Sequence, residues 1–532
     1  MENMKRILII TALLVFAGGY LYSQPQRRPV NPNDPVAQLE KFTQFYSYLN
    51  RTYVDTVDNR ALIEDAIQSV LMELDPHSTY ITAEDMVGVR ESFDGSFGGI
   101  GVEFNVLNDT IIVVNVIAGG PSETVGVLPN DRIVLIDGNN AVGTKQADVP
   151  SLLRGPRGSR VEVGIARRGV VGLLDFTIVR GNIPVNTVDA AYKIDAKIGY
   201  IKVNRFANNT FREFTEAYQK LGKIDALIVD LQHNGGGLLD QAIDLGNFFL
   251  PQGAVIVSTE GMRVPSDVVK ATRNGAYAKG KVIILVDETS ASGSEIVAGA
   301  VQDWDRGLIV GRRTFGKGLV QRQFPFADGS AMRLTIARYH TPTGRAIQRP
   351  YEMGQKDLYY EEFASRVGMA DTLNGDPSLE YKTLISKRTV YGGGGIYPDV
   401  YVPMDTTAYT NYWGALSRRG VIVEFVVDYM DKNRTSLEAK YTDIESFKKN
   451  FAVDDAVLGQ MSALGVSRGV PPDPAEMEIS KSKLQVYIKA LIAQKLWGMN
   501  EYYYVINDDD EVYRKALEVL SDWSGYGKGI TE

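Results

Sequence analysis

Residues 288–321 read ETSASGSEIVAGAVQDWDRGLIVGRRTFGKGLVQ and hold Ser290, Ser292, Ser294 and Lys317, with no histidine. KVIILVD at 281–287 has the run of a buried strand, ETSASGS the small residues of a turn, and EIVAGAVQ the pattern of a helix. A serine in that turn stands near a helix N-terminus. Unpaired backbone N–H groups and the helix dipole there favour developing negative charge, as acyl transfer requires. The same serines also suit plain turn and N-cap duty.

A serine nucleophile needs a base. The chain has three histidines, His77, His233 and His340. Only His233, beside Asn234-Gly235-Gly236-Gly237, is well placed, and a Ser–His–Asp arrangement through it stays open. The alternative is Lys317, set between Gly316 and Gly318 in TFGKGLVQ. A lysine base must be neutral, whereas a free lysine titrates near ~10.4; burial lowers that value. Gln321, four residues on, shares a face with Lys317 if the segment turns helically, and its carboxamide oxygen can then orient the amine. DLQHNGGGLLDQA at 230–242 supplies a glycine loop whose backbone N–H groups can face a ligand. Gly236 and the amide of Gly293 are the expected halves of an oxyanion hole. The phosphate-loop pattern GxxxxGK[ST] is absent.

These residues need a frame. Residues 196–345 alternate strands (KIGYIKV, DALIVDL, KVIILVD, GLIVG, AMRLTIARYHT) with helices, which implies a mainly parallel sheet with crossovers. Residues 36–90 are helical by spacing, with a stop at Asp75-Pro76. Residues 91–183 are glycine-rich and then β-rich, a small module with one or two helices. Residues 404–532 are helical again; Leu484, Tyr487, Ile488, Leu491 and Ile492 form an apolar stripe, and NDDDE at 507–511 leads into a helix.

The chain has 532 residues, 44% apolar and 23% charged, with net charge −8 and no cysteine. That length calls for several domains. The negative balance argues against nucleic-acid binding. The lack of cysteine excludes disulfides and thiol catalysis. MENMKR followed by ILIITALLVFAGGYLY resembles a secretory signal, cleaved near Ser23 or Gln24 or retained as an anchor. QPQRRPVNPNDP at 24–35 reads as a linker.

SASGSEIVAGAVQD, GRRTFGKGLVQ, DLQHNGGGLLD, LTIARYHTPTGRAIQ and GGIYPDV, with LDPHSTYI and GSFGGIGVEF upstream, resemble the C-terminal processing (tail-specific) peptidases over roughly residues 37–403. The resemblance implies an α/β (α+β multidomain) chain with a Clp protease/crotonase-like peptidase core. The expected organisation is a signal or anchor at 1–23, a linker at 24–35 and an N-terminal helical region at 36–90 packing on the core. A PDZ domain at 91–183, the peptidase core at 184–403 and a C-terminal helical domain at 404–532 follow. It further implies Ser292 as nucleophile, Lys317 as general base and Gln321 as its orienting partner. Gly98, Gly99, Ile100 and Gly101 become the loop that holds a peptide's terminal carboxylate.

The sequence departs from the family pattern at Gly293, at His233 and Gly235, in a long stretch at 349–395, and in 404–532, which compact members lack. The expected function is an exported serine endopeptidase of the periplasm or cell envelope, acting on proteins with apolar C-termini. No cofactor, metal or nucleic acid enters. Assembly or an adaptor through the C-terminal helices, and membrane attachment through the N-terminal segment, stay open. So do a catalytically dead peptide-binding scaffold or chaperone and, by fold analogy, an acyl-CoA enzyme.

Overall fold

The computed structural model describes residues 31–117, 119–367 and 375–531. The expected signal segment, and the linker as far as residue 30, lie outside them. Among the described residues no helix is long and apolar enough to cross a membrane. The described residues divide into two compact units, one up to Ser69 and one from Val70 on.

In the first unit, helix α1 (Pro35–Thr52) begins at Asp34, whose carboxylate accepts the Val36 N–H. Helix α2 (Asn59–Met72) follows and runs into the second unit. The Tyr46 hydroxyl donates to Asn59 Oδ1 at 2.8 Å and ties the two helices.

The second unit opens with strand Thr79–Ile81 and helix α3 (Asp85–Asp94), which ends on left-handed Gly95. A two-stranded ribbon, Ser96–Gly99 against Gly181–Pro184, then brackets the β-rich module. Inside it strands β1 (Val102–Leu107), β2 (Thr110–Val116), β3 (Arg132–Ile136), β4 (Arg160–Ala166) and β5 (Leu174–Val179) form one antiparallel sheet in the order β1-β2-β3-β4-β5. The alternation of branched residues places Ile111, Val113, Ile133, Val161, Val163, Ile165 and Ile178 in its core. Among the described residues strand β1 pairs only with β2, which leaves its other edge without a partner strand.

The peptidase sheet runs β6 (Val188–Lys193), β7 (Ile198–Val203), β8 (Ala226–Asp230), β9 (Lys281–Val286), β10 (Leu308–Gly311) and β13 (Val400–Tyr401). Only the β6–β7 pairing is antiparallel. Parallel strands buried on both faces need continuous apolar runs, and Leu227, Ile228, Val229, Val282, Ile283, Ile284, Leu285 and Val286 are all fully buried. Helices α4 (Thr210–Leu221), α5 (Leu239–Phe249) and α6 (Gly293–Asp303) contribute to the core that includes Val229, Ile284 and Ile309.

AMRLTIARYHT does not join this sheet. Strand β12 (Ala331–His340) pairs antiparallel with β11 (Leu319–Pro325), Thr79–Ile81 and Val255–Glu260 in a second sheet.

The other face of the peptidase sheet is covered from far down the chain. Helices α7 (Val421–Lys440) and α8 (Pro474–Leu496) carry a core of their own, in which the expected stripe buries Leu484, Ile488 and Ile492 completely. Helix α9 (Met499–Ile506) and helix α10 (Glu511–Ser521) follow. Val512, Tyr513, Ala516, Val519 and Leu520 of α10 pack against Tyr200, Ile228, Ile283, Leu285 and Val310. Asp510 caps α10 by accepting the Tyr513 N–H at 2.8 Å, the duty expected of the NDDDE cluster, and its other oxygen accepts Gln232 Nε2 at 3.1 Å. The region from 404 onward is therefore not a body apart from the core: α10 is one of the peptidase layers.

Candidate active site

The three serines of the turn have different fates. Ser290 is fully buried and its hydroxyl donates to the Leu231 carbonyl at 2.8 Å. Ser294 is fully buried and donates to the Asn234 carbonyl at 2.8 Å. Both hydroxyls hold the glycine loop against the turn. Ser292 alone of the three lines a cleft of ≈ 520 Å³ with Lys317, Gln321 and Gly235, Gly236 and Gly237. It is the N-cap of α6, with φ +53° and ψ −109°, a conformation rare for a residue with a side chain and typical of strained functional turns.

Lys317 reaches the same cleft. Its Nζ donates to Gln321 Oε1 at 3.0 Å, and Gln321 Nε2 donates to the His77 carbonyl at 2.7 Å. Burial pulls the lysine pKa down; the Arg333 guanidinium pulls the same way, while Glu295 and Asp75 oppose. Gln321 meets Lys317 by another route than a helical turn. It lies in strand β11, at a register irregularity where Val320 pairs with Ala337 but Gln321 with Thr335. The extra residue on β12 re-aims the strand, a common use of bulges.

The His77 carbonyl gives LDPHSTYI a role that its side chains do not advertise. Asp75 accepts from the His77 N–H, the Ser78 N–H and the Ser78 hydroxyl, which sets the turn. The His77 ring packs edge-on to Tyr359, and burial together with the nearby Lys317 charge lowers its pKa to about 4.

Glu295 is the residue that sequence reasoning passed over. It is fully buried, and its carboxylate accepts the N–H of Ser292 (2.7 Å), Gly316 (2.7 Å) and Lys317 (2.9 Å) and the Thr314 hydroxyl (2.6 Å). Burial raises its pKa in spite of these four donors. One carboxylate thus fixes the backbones of both Ser292 and Lys317. The Tyr339 hydroxyl does similar duty, lying between the carbonyls of Ser292 (3.0 Å) and Lys317. A Glu three residues after an N-cap serine is the available signal.

Gly236 has φ +93°, and a Cβ there would meet Ser292 Cβ at 2.7 Å. Its N–H, however, donates to Asn234 Oδ1 at 2.9 Å. Among the described residues the N–H groups of Gly235, Gly237 and Gly293 make no hydrogen bond, so these are the free donors of the loop and turn.

His233 sits elsewhere. Its Nδ1 lies 2.7 Å from Asp287 Oδ2, which raises the histidine pKa, but the side chain is 75% exposed and does not line the cleft. His340 hydrogen-bonds through Nδ1 with the Gly344 carbonyl at 3.2 Å. In the β-rich module Gly98 and Gly99 belong to the ribbon, Ile100 is buried, and Gly101 has φ +77°. This loop leads straight into strand β1.

A serine at a strained helix entrance, a half-buried lysine in the same cleft and a small antiparallel sheet upstream are what a serine-type peptidase with a PDZ domain would present. Comparison with known proteins agrees. Residues 197–353 match peptidase family S41, residues 98–178 a PDZ domain, and residues 17–85 the N-terminal domain of the activating protease CtpB. Residues 412–498 match a family of unknown function. A carboxy-terminal-processing protease of Bartonella bacilliformis is 39% identical over 326 residues, 60% of this chain and 74% of its own. The carboxy-terminal processing protease CtpA of Bacillus subtilis is 34% identical over 316 residues, 59% of this chain and 67% of its own. Among solved structures, a photosystem II D1 C-terminal processing protease has 31% identity and a TM-score of 0.34, with 58% of this chain and 83% of that one covered. The chain belongs to the C-terminal processing peptidases of family S41.

Proposed function

We propose that this peptidase cuts with Ser292 as nucleophile and Lys317 as general base. The single observation that carries the reading is the Lys317 amine. It is sheltered, held by Gln321 at 3.0 Å, depressed in pKa, and shares one cleft with Ser292, the one serine of the turn that lines it. Neutral Lys317 takes the Ser292 proton as the hydroxyl attacks the scissile carbonyl, and returns it to the leaving amine. Gln321, anchored on the His77 carbonyl, fixes the amine's direction. The developing oxyanion is met by the Gly293 N–H and by the glycine loop. Gly236 joins only if Asn234 releases its amide, so Gly235 or Gly237 is the readier partner. The apolar lining, Phe93, Leu238, Leu239, Ile296 and Leu319, suits an apolar side chain next to the cut.

The PDZ domain takes the substrate's C-terminus at Gly98, Gly99, Ile100 and Gly101 and lets the tail add to the free edge of β1. Export to the cell envelope follows from the basic and apolar start of the chain.

The test is cleavage of an unstructured protein with an apolar C-terminus by wild type, Ser292→Ala and Lys317→Met. Both variants should fold with unchanged melting temperature and lose cleavage by about a thousandfold or more. His233→Ala should cut normally; a normal Lys317→Met beside a dead His233→Ala would reverse the assignment. Wild-type kcat/KM should rise with pH to a midpoint below the ordinary lysine value of ~10.4, because only the deprotonated amine is a base.

A further inference from the structure

One arginine in the cleft is unspent. Arg333 on β12 faces the cleft beside Gln323, its cross-strand partner on β11. Three arginines that the fold buries place donors on the protein, and each has an acceptor or an acid. Arg345 pairs with Asp303 at 2.7 Å, Arg306 donates to the carbonyls of Phe249, Gly280 and Tyr277, and Arg180 to those of Leu153, Arg160 and Leu152. Arg333, half-buried, has no hydrogen bond and no carboxylate within ion-pair distance among the described residues. Its guanidinium lies 5.6 Å from the centre of the Phe93 ring. Burial alone acts on it and lowers its pKa, with no opposing acid. A guanidinium offers five donors in a fork that matches a carboxylate, and one left partly dehydrated without an acceptor is held ready for a ligand.

Position narrows the ligand. Gln321 pairs with Thr335 and Gln323 with Arg333, so the Arg333 rung lies two strand residues, about 7 Å, from the rung that orients Lys317. An extended substrate alongside advances by the same step. We infer that Arg333 is a specificity residue that takes a carboxylate of the substrate, its chain terminus or an acidic side chain, about two residues from the bond that is cut. This rests on the Ser292–Lys317 reading for where that bond lies.

The experiment uses the full chain and short quenched peptides in two matched sets. One set compares Glu with Gln at each of the positions flanking the cut, all with amidated ends. The other compares a free C-terminus with its amide close to the cut. Wild type should cut one carboxylate member with kcat/KM about tenfold higher or more than its neutral twin, as expected for a hydrogen-bonded ion pair. Arg333→Gln should bring that ratio to about one, and Arg333→Lys should keep part of it. Whichever set responds identifies the source of the carboxylate.

A ratio near one in wild type overturns the inference. So does a preference that survives Arg333→Gln, which belongs to the PDZ loop. An equal loss on both twins also overturns it, since it marks Arg333 as acting through Phe93 or the Lys317 amine and not on the substrate carboxylate. Ser292→Ala in parallel separates the two claims: if it still cleaves, the nucleophile assignment fails while the twin ratio still reports on Arg333.

Discussion

At the scale of single residues, the cleft is organised by a fully buried group that does not line it. Glu295 gathers four donors on one buried carboxylate, and three of them are backbone N–H groups of Ser292, Gly316 and Lys317. Glu295→Gln keeps the shape but trades one acceptor oxygen for an NH2, so at least one of those donors faces another donor. A buried donor without an acceptor costs ~1–3 kcal/mol, and here the cost falls on catalytic alignment. The expected result is kcat down about tenfold or more, KM little changed, and a lower melting temperature, measured by steady-state kinetics and thermal unfolding. Unchanged kcat would mean that the two backbones are held without it.

At the scale of elements, the strand–turn–helix around Ser292 and the glycine loop were legible because each has a local signature: a buried apolar run, small residues, then helical spacing. The Lys317–Gln321 partnership was legible but for the wrong geometry. A spacing of four fits a helical turn and also a strand bent at an irregular register, and only the pairing with β12 decides between them. LDPHSTYI stood out as a motif, yet its contribution is the His77 carbonyl, and a main-chain atom leaves no mark on residue type.

Gly236 shows the same limit. Glycine was required there, for a positive φ and a close approach, while its amide turned out to be committed to Asn234. Gly236→Ala should therefore act by collision. Its methyl would meet Ser292 Cβ at 2.7 Å and the Ala291 carbonyl oxygen at 2.8 Å, so activity should fall by about a hundredfold or more with only modest loss of stability. A fully active variant would show that the loop yields.

At the scale of the whole molecule, the C-terminal helices touch both working parts. Asn108 donates to Glu424 at 2.8 Å, Arg132 pairs with Asp431 at 3.1 Å, and Lys495 donates to the Val114 carbonyl at 3.1 Å, so α7 and α8 grip the PDZ sheet while α10 covers the peptidase sheet. Lys495 is buried in that contact. Burial lowers its pKa to about 8, with Arg434 adding to the effect and Glu103 and Asp431 opposing it.

The folded protein thus gives up this proton before the unfolded chain, whose lysines titrate near ~10.4. Between those values the unfolded state binds more protons, so stability rises with pH across the window, by up to about 3 kcal/mol. Below it the cost of the buried charge is fully present. Lys495→Met should remove that rise, and at neutral pH it should melt no lower than wild type. Unfolding followed from pH 7 to 10 checks it, and a variant with the wild-type slope would place the titration elsewhere.

The cover that α10 lays over the peptidase sheet has a consequence in time. A ribosome makes Ser292 and Lys317 long before Glu511–Ser521, and until that helix arrives Tyr200, Ile228, Ile283 and Val310 stand bare to water. The sheet that carries the Ser292 turn thus lacks part of its apolar cover until synthesis has passed Ser521.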